Sequence, residues 1–191
     1  MENIYNYDNL KEIHILKYFP KSLQEKLKLS PEQLIVNQFI IDFKNGYRPV
    51  SALAAKIVAK TISKYFDVDN EPLVFIPIPA STKEDTFKRY HYFSYIVSKN
   101  CNVIDGYLWV RNWVKSEKKH LAPNHITNDD DSKRWFVDYS KIKGTKVIVF
   151  DDICTTGETA ATFIQRLEKC GAKVIGEIFL GSTFHLKSHL K

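Results

Sequence analysis

Asp151 and Asp152 stand side by side, directly after the apolar run Lys146-Val147-Ile148-Val149-Phe150 and directly before Ile153-Cys154-Thr155-Thr156-Gly157-Glu158-Thr159. Two adjacent carboxylates at the end of a buried strand repel each other, so packing alone gives no reason for them. Held together, they accept hydrogen bonds from a vicinal diol, such as the 2- and 3-hydroxyls of a ribose. The threonine loop that follows offers hydroxyl donors, backbone N–H groups exposed where Gly157 lets the chain turn, and the positive end of the next helix. Those are the needs of a phosphate monoester. A diol reader joined to a phosphate cradle describes a site for a ribose 5-phosphate. Taken singly, each residue also fits a threonine-capped helix start after a solvated acidic turn; the whole string in this order favours the ribose-phosphate site. It is neither a Walker loop, which needs Gly-x-x-x-x-Gly-Lys, nor a Rossmann fingerprint, which needs Gly-x-Gly.

The elements that must hold this string are legible nearby. Residues 146–150 form the clearest strand, and Thr159 to Cys170 read as an amphipathic helix through Ala160, Phe163, Ile164 and Leu167, with Gly171 as its C-cap. Leu73-Val74-Phe75-Ile76-Pro77-Ile78-Pro79 reads as a buried strand closed by prolines. Thr86 to Lys99 predicts a helix with a buried aromatic face, and Val103–Val110 and Lys173–Leu180 predict further strands. Ser30-Pro31-Glu32-Gln33 is a capping box that should start a helix running to about Lys44, and a second helix should begin near Pro49. From Arg111 to Asp138 periodicity disappears, and a connection of that length in a compact domain is commonly functional or disordered. Strands alternating with helices imply βαβ units and a mostly parallel sheet, whose ligands sit at the carboxyl ends of strands. The expected fold class is therefore α/β, with a parallel central sheet flanked by helices.

Composition narrows the function classes. The chain has 191 residues, 44% of them hydrophobic and 26% charged, which supplies one core and argues against long disorder. Lys and Arg exceed Asp and Glu by 28 to 22, a net charge of +6 that suits a phosphorylated small molecule, nucleic acid or an ordinary basic surface. The basic residues are dispersed and no nucleic-acid motif appears, so nucleic-acid binding ranks last. No apolar run reaches the ~20 residues needed to cross a bilayer, and the acid-bearing first residues lack a continuous apolar stretch, so neither membrane insertion nor secretion is expected. Cys101, Cys154 and Cys170 are odd in number, far apart and without a Cys-x-x-Cys pair. That excludes a zinc ribbon or disulfide framework at the level of sequence and fits a reducing, cytoplasmic setting. Cys154 has no partner histidine in the motif and reads as a small packed residue.

The string from Val149 to Thr159 resembles the phosphoribosyl pyrophosphate (PRPP) motif of type I phosphoribosyltransferases. It is most similar to the ComF-type, competence-associated branch, whose loop also reads Asp-Asp-x-x-Thr-Thr-Gly-x-Thr. Weaker resemblance runs from about Phe39 to Gly181 and takes in Asp42-Phe43-Lys44-Asn45-Gly46, the strand ending at Pro79 and Lys88-Arg89-Tyr90. The chain lacks the N-terminal zinc module usual in that branch, having no cysteine before Cys101, and shows Arg89-Tyr90-His91-Tyr92 where the branch usually has Arg-Gly-Phe-Asn. Purine-salvage members carry an aspartate where Thr155 stands, which argues against a hypoxanthine–guanine enzyme.

The resemblance implies one phosphoribosyltransferase-like domain over 1–191, with a helical part at 1–66 contributing to a hood and a core at 67–181. It assigns Asp151 and Asp152 to the ribose hydroxyls and Thr155, Thr156, Gly157, Glu158 and Thr159 to the 5-phosphate. Ala80-Ser81-Thr82-Lys83 becomes the pyrophosphate loop, with Lys83, Lys88 and Arg89 as its cations. Residues 111–138 become a mobile loop carrying Lys115, Lys118, Lys119 and His120. Mg²⁺ is the implied cofactor, held mainly by PRPP with Asp151 or Asp152 as the protein's contribution. The implied partners are PRPP and a nitrogen-base acceptor, and the resemblance is compatible with a homodimer. Two functions follow: transfer of ribose 5-phosphate to a nitrogen acceptor with release of pyrophosphate, or a PRPP- or nucleotide-sensing regulator linked to DNA uptake.

Overall fold

A computed structural model describes residues 2–7, 10–112 and 134–184 of the chain. In chain order the elements are β1 (Asn3–Tyr7), β2 (Leu10–Tyr18), α1 (Lys21–Gln24), α2 (Pro31–Lys44), α3 (Arg48–Tyr65), β3 (Leu73–Pro77), α4 (Lys83–Thr86), a π-turn (Phe87–His91), α5 (Tyr92–Asn100), β4 (Val103–Asp105), a 3₁₀ turn (Tyr107–Trp109), β5 (Val110–Asn112), β6 (Trp135–Val137), α6 (Tyr139–Ile142), β7 (Lys146–Cys154), α7 (Glu158–Lys169) and β8 (Lys173–Thr183). Six strands form one sheet in the order β1-β2-β8-β7-β3-β4. Every neighbouring pair is parallel except β1 and β2. The expected mixed α/β architecture, with a mostly parallel sheet between helices, is the one the chain adopts.

Strand alternation divides the core in two. Leu73, Phe75, Ile148, Phe150, Ile178 and Leu180 face α2, α3 and α5. Val74, Ile76, Val147, Val149 and Val174 face α7, α6 and the β5–β6 hairpin. Central parallel strands buried on both faces need continuous apolar runs, and β3 (LVFIP) is buried at every position. The capping box forms as its residues predict: the Ser30 N–H donates to Gln33 Oε1 at 2.8 Å, and α2 runs to Lys44.

Three expectations need correction. Residues 1–66 are not wholly helical, because β1 and β2 complete one side of the sheet. Ile13 and Ile15 lie on either side of His14, and β2 gains its place in the parallel sheet by pairing with β8, 165 positions away (Ile13↔Ile178). The strand expected over 103–110 is split: β4 joins the main sheet, whereas β5 leaves it to pair with β6. The strand expected to end at Phe150 continues to Cys154. β3 leaves β7 at Pro77↔Phe150, but β8 keeps pairing as far as Cys154↔Ser182. Asp151 and Asp152 thus lie on a strand segment hydrogen-bonded on one side and open on the other. Among the described residues no helix is long and apolar enough to cross a membrane.

Candidate functional site

The β3–β7 ladder closes with the Ile78 N–H donating to the Phe150 carbonyl at 2.8 Å, and β7 runs on four residues to Cys154. The loop 78–83 and the loop 155–157 therefore leave the same end of the sheet, next to Asp151 and Asp152. Gly157 has φ +79° and caps α7 in the left-handed region that favours glycine. Thr155, Thr156, Glu158 and Thr159 around it are all exposed. The turn expected to hold a phosphate is exposed, has one glycine at positive φ and opens a twelve-residue helix.

The two aspartates are held from below by residues sixty positions earlier. Arg89 Nη1 donates to Asp152 Oδ2 at 2.6 Å, with side-chain exposures of only 12% and 9%. Arg89 Nε donates to the Lys44 carbonyl at 3.1 Å. Asp152 Oδ1 accepts the Ile153 N–H at 2.8 Å, so both of its oxygens are engaged. Asp151 Oδ1 accepts the Tyr90 hydroxyl at 3.3 Å and the Asp152 N–H at 2.9 Å. Burial, and then the charge of Asp152, push Asp151 up to about 7. Burial and both aspartates push the Tyr90 phenol well above its ordinary value, so it acts as a donor.

Packing explains how Tyr90 and Arg89 reach this point. Phe43, Phe75, Tyr90, Phe93 and Phe150 form one aromatic cluster, with Phe93 and Phe150 centroids 4.7 Å apart and Tyr90 edge-on to Phe150 at 6.2 Å. That cluster fixes the helical segment 83–100 under the end of β7. The π-turn Phe87–His91 widens the helix where the two side chains must turn toward the acids, a distortion that recurs at functional sites. Tyr90 occupies the position where the ComF-type pattern has glycine. The sequence named Arg89 as a pyrophosphate cation, but the guanidinium lies on Asp152 instead. Tyr90 was missed as a site residue, its only signal being the departure from that pattern.

Ser81 and Thr82 sit in the exposed turn beyond β3, and Lys83 is the exposed first residue of α4. The Thr82 hydroxyl is committed locally: it accepts the Asp85 N–H at 3.0 Å and donates to Asp85 Oδ2 at 2.8 Å. Lys88 packs against the α2–α3 turn, its carbonyl close under Gly46. Lys115, Lys118, Lys119 and His120 lie outside the described residues.

A second acidic group, absent from the sequence reading, borders the site on the α7 face. Glu177 on β8 is in register with Glu12 on β2 and is 6% exposed. Burial, then Glu12 and Asp151, push its carboxyl up to about 8. Burial, then Glu12, Glu177 and Asp151, likewise push the Cys154 thiol up to about 11, in line with a packed residue rather than a nucleophile. Between its ordinary value of 4.5 and about 8, the folded protein holds a proton on Glu177 that the unfolded chain has released. Stability from this group is therefore fully present at low pH and is lost as pH rises through that window, by up to about 1.4 kcal/mol per unit. Thermal melts should show the wild-type midpoint falling between pH 5 and 8, and Glu177→Gln should flatten the fall. Parallel curves for the two proteins would exclude Glu177 as its cause.

Among the described residues no group of three or more His, Cys, Asp or Glu could hold a metal ion. The donor set at the acid pair fits a weaker demand. Asp152 is engaged by Arg89, and Asp151 offers a carboxylate of the kind that Mg²⁺ uses singly when substrate oxygens complete its octahedron.

No family model matches the chain. Over 74 residues it is 31% identical to orotate phosphoribosyltransferases from several strains of Staphylococcus aureus, a stretch covering 38% of this chain and 36% of theirs. A stretch of this chain is thus distantly similar to phosphoribosyltransferases. The chain spans about a third of the length of the curated relatives it matches. Among solved structures, it resembles the UMP synthase of Leishmania donovani at 17% identity and a TM-score of 0.39, covering 71% of this chain and 23% of that one. It also resembles a hypoxanthine phosphoribosyltransferase of Staphylococcus aureus at 13% identity and a TM-score of 0.37, covering 72% and 74%.

Proposed function

We propose that this protein is a phosphoribosyltransferase that binds PRPP with Mg²⁺ and transfers ribose 5-phosphate to a nitrogen acceptor, releasing pyrophosphate. One observation carries the reading. The acid pair at the open edge of β7 runs straight into an exposed loop whose Gly157, at φ +79°, opens α7. In this reading Asp151 and Asp152 face the ribose hydroxyls, and the turn 155–159 holds the 5-phosphate through backbone N–H groups. Ser81, Thr82 and Lys83 face the pyrophosphate.

Transfer requires the bond from the anomeric carbon to pyrophosphate to break while a nitrogen lone pair forms the new one, through an oxocarbenium-like state. The protein's part is to hold the ribose, keep water out and present fixed dipoles to the departing anion. Mg²⁺, when bound, would neutralise charge on pyrophosphate, with Asp151 as the protein ligand best placed to contribute. The deciding measurement is pyrophosphate release from PRPP and Mg²⁺ across a nucleobase panel. The similarity to orotate phosphoribosyltransferases puts orotate first in that panel. Release with no base tested would remove transfer from the reading.

A second reading, a PRPP- or nucleotide-sensing regulator of the ComF type, is favoured by the engagement of both aspartates within the protein. Arg89 and Tyr90 compete with a ribose diol for them, which leaves the acids less available to a reacting ribose. PRPP binding without pyrophosphate release identifies that case.

Asp151→Asn is the cleaner test of the diol assignment, because Asp152→Asn also strips Arg89 of its partner. Losing one charge-assisted hydrogen bond costs about 1.5–3 kcal/mol, or roughly tenfold to a hundredfold in affinity. Calorimetry should show PRPP binding to Asp151→Asn weakened by that factor, with a near wild-type melting midpoint. Unchanged affinity would move the ribose elsewhere.

A further inference from the structure

Asn112 stands where β5 calls for an apolar residue. Val110 and Asn112 are both buried on one face and Arg111 between them is exposed, yet the third position carries an amide. Burying an amide is costly unless both its ends are bonded. Asn112 Nδ2 donates to the Ala80 carbonyl at 2.5 Å, and its Oδ1 lies 3.0 Å from the Thr86 hydroxyl. The single Thr86 proton is shared between Asn112 Oδ1 and the Thr82 carbonyl, 2.7 Å away. The Ala80 carbonyl only accepts, so it fixes which way the amide faces, and the Nδ2 donor in turn holds that carbonyl.

The consequence follows from peptide geometry. The carbonyl of Ala80 and the N–H of Ser81 belong to one planar unit and point in opposite directions when the bond is trans. No cis peptide bond occurs among the described residues. A carbonyl drawn inward to Asn112 therefore turns the Ser81 N–H outward, in a loop whose residues 81–83 are all exposed. Without that anchor only the Thr86 hydroxyl, at 3.5 Å, still faces the Ala80 carbonyl, and the peptide can turn its negative end outward, against a bound anion. Because the Thr82 hydroxyl is already spent on Asp85, backbone N–H groups of this loop join Ser81 and Lys83 in facing an anion.

We infer that Asn112 is a positioning residue for the 80–83 loop, holding the Ala80 carbonyl inward so that the Ser81 N–H is presented to the pyrophosphate of a phosphoribosyl donor. The ligand named here rests on the proposed function; the anchoring of the loop by a residue 32 positions away does not. Asn112 touches no substrate and acts through the backbone of Ala80.

The test is calorimetry on the full chain with Mg²⁺, using inorganic pyrophosphate and ribose 5-phosphate as separate probes. Asn112→Asp keeps the shape and places an oxygen against the Ala80 carbonyl. It should weaken pyrophosphate at least tenfold and ribose 5-phosphate less than twofold. Asn112→Ala should show the same selectivity with a smaller loss, and it carries the test if the aspartate variant does not fold. Equal losses for both probes, or unchanged pyrophosphate affinity, would overturn the proposal in favour of a general structural role. Wild-type protein that binds ribose 5-phosphate but not pyrophosphate overturns the loop assignment alone. Wild-type protein that binds neither overturns the phosphoribosyl reading with it.

Discussion

Gly157→Val is expected to abolish binding of ribose 5-phosphate and PRPP, by more than a hundredfold, while leaving most of the fold's stability intact. The two effects separate because of what surrounds this glycine. A Cβ built on Gly157 meets nothing closer than Cys154 Sγ at 4.0 Å, so the protein itself has room for it. Only the backbone resists: φ +79° is an outlier for a β-branched residue and costs about 1–3 kcal/mol. The space the valine would fill borders the exposed turn 155–159, where the phosphate is placed. Relaxation of the turn to negative φ would also swing its N–H groups away. Calorimetry and thermal melts on the same preparation check both halves. Normal affinity for ribose 5-phosphate in this variant would show that the phosphate cradle lies elsewhere and would remove the main physical support for the proposed function.

Arg89→Met is expected to destabilise the protein by about 3–5 kcal/mol, the scale on which removing one partner strands a buried charge. Solvent screening does not rescue Asp152, whose side chain is 9% exposed and whose other oxygen is taken by the Ile153 N–H. The methionine retains most of the arginine's apolar stem but also removes the guanidinium from the Tyr90 ring, 5.5 Å away, and from the Lys44 carbonyl, so the double variant is needed to separate the ion pair from these contacts. The double variant Arg89→Met, Asp152→Asn should recover at least half of the loss, since the amide still accepts from Ile153 and carries no charge. Urea unfolding midpoints with a constant slope measure the cycle. A single-variant loss below about 1 kcal/mol would place the pair in the class of solvent-screened surface bridges.

The chemistry-bearing string was legible because each of its signals is local. Val147–Phe150 is a buried strand by composition, the adjacent aspartates follow it directly, and Gly157 is required where the turn needs positive φ. The helix from residue 158 follows from apolar spacing at Ala160, Phe163, Ile164 and Leu167, and the capping box at Ser30 and Gln33 is a contact between residues three apart. None of these depends on a distant partner.

Tertiary structure decided what the acids do. Whether Asp151 and Asp152 belong to strand or loop depends on β8, which pairs with them after β3 has left. Arg89 reaches Asp152 across 63 positions and Tyr90 reaches Asp151 across 61, only because the aromatic cluster around Phe150 fixes helix 83–100 beneath them. A sequence shows a cationic arginine after a strand, but not which anion it will meet. The same holds for Asn112, a polar residue with no signal until β5 brings it to Ala80, and for buried Glu177, which meets the half-buried Glu12 through the β2–β8 register. Short-range periodicity and turn chemistry are written in neighbouring residues, whereas partners of buried polar groups are chosen by packing across the whole sheet.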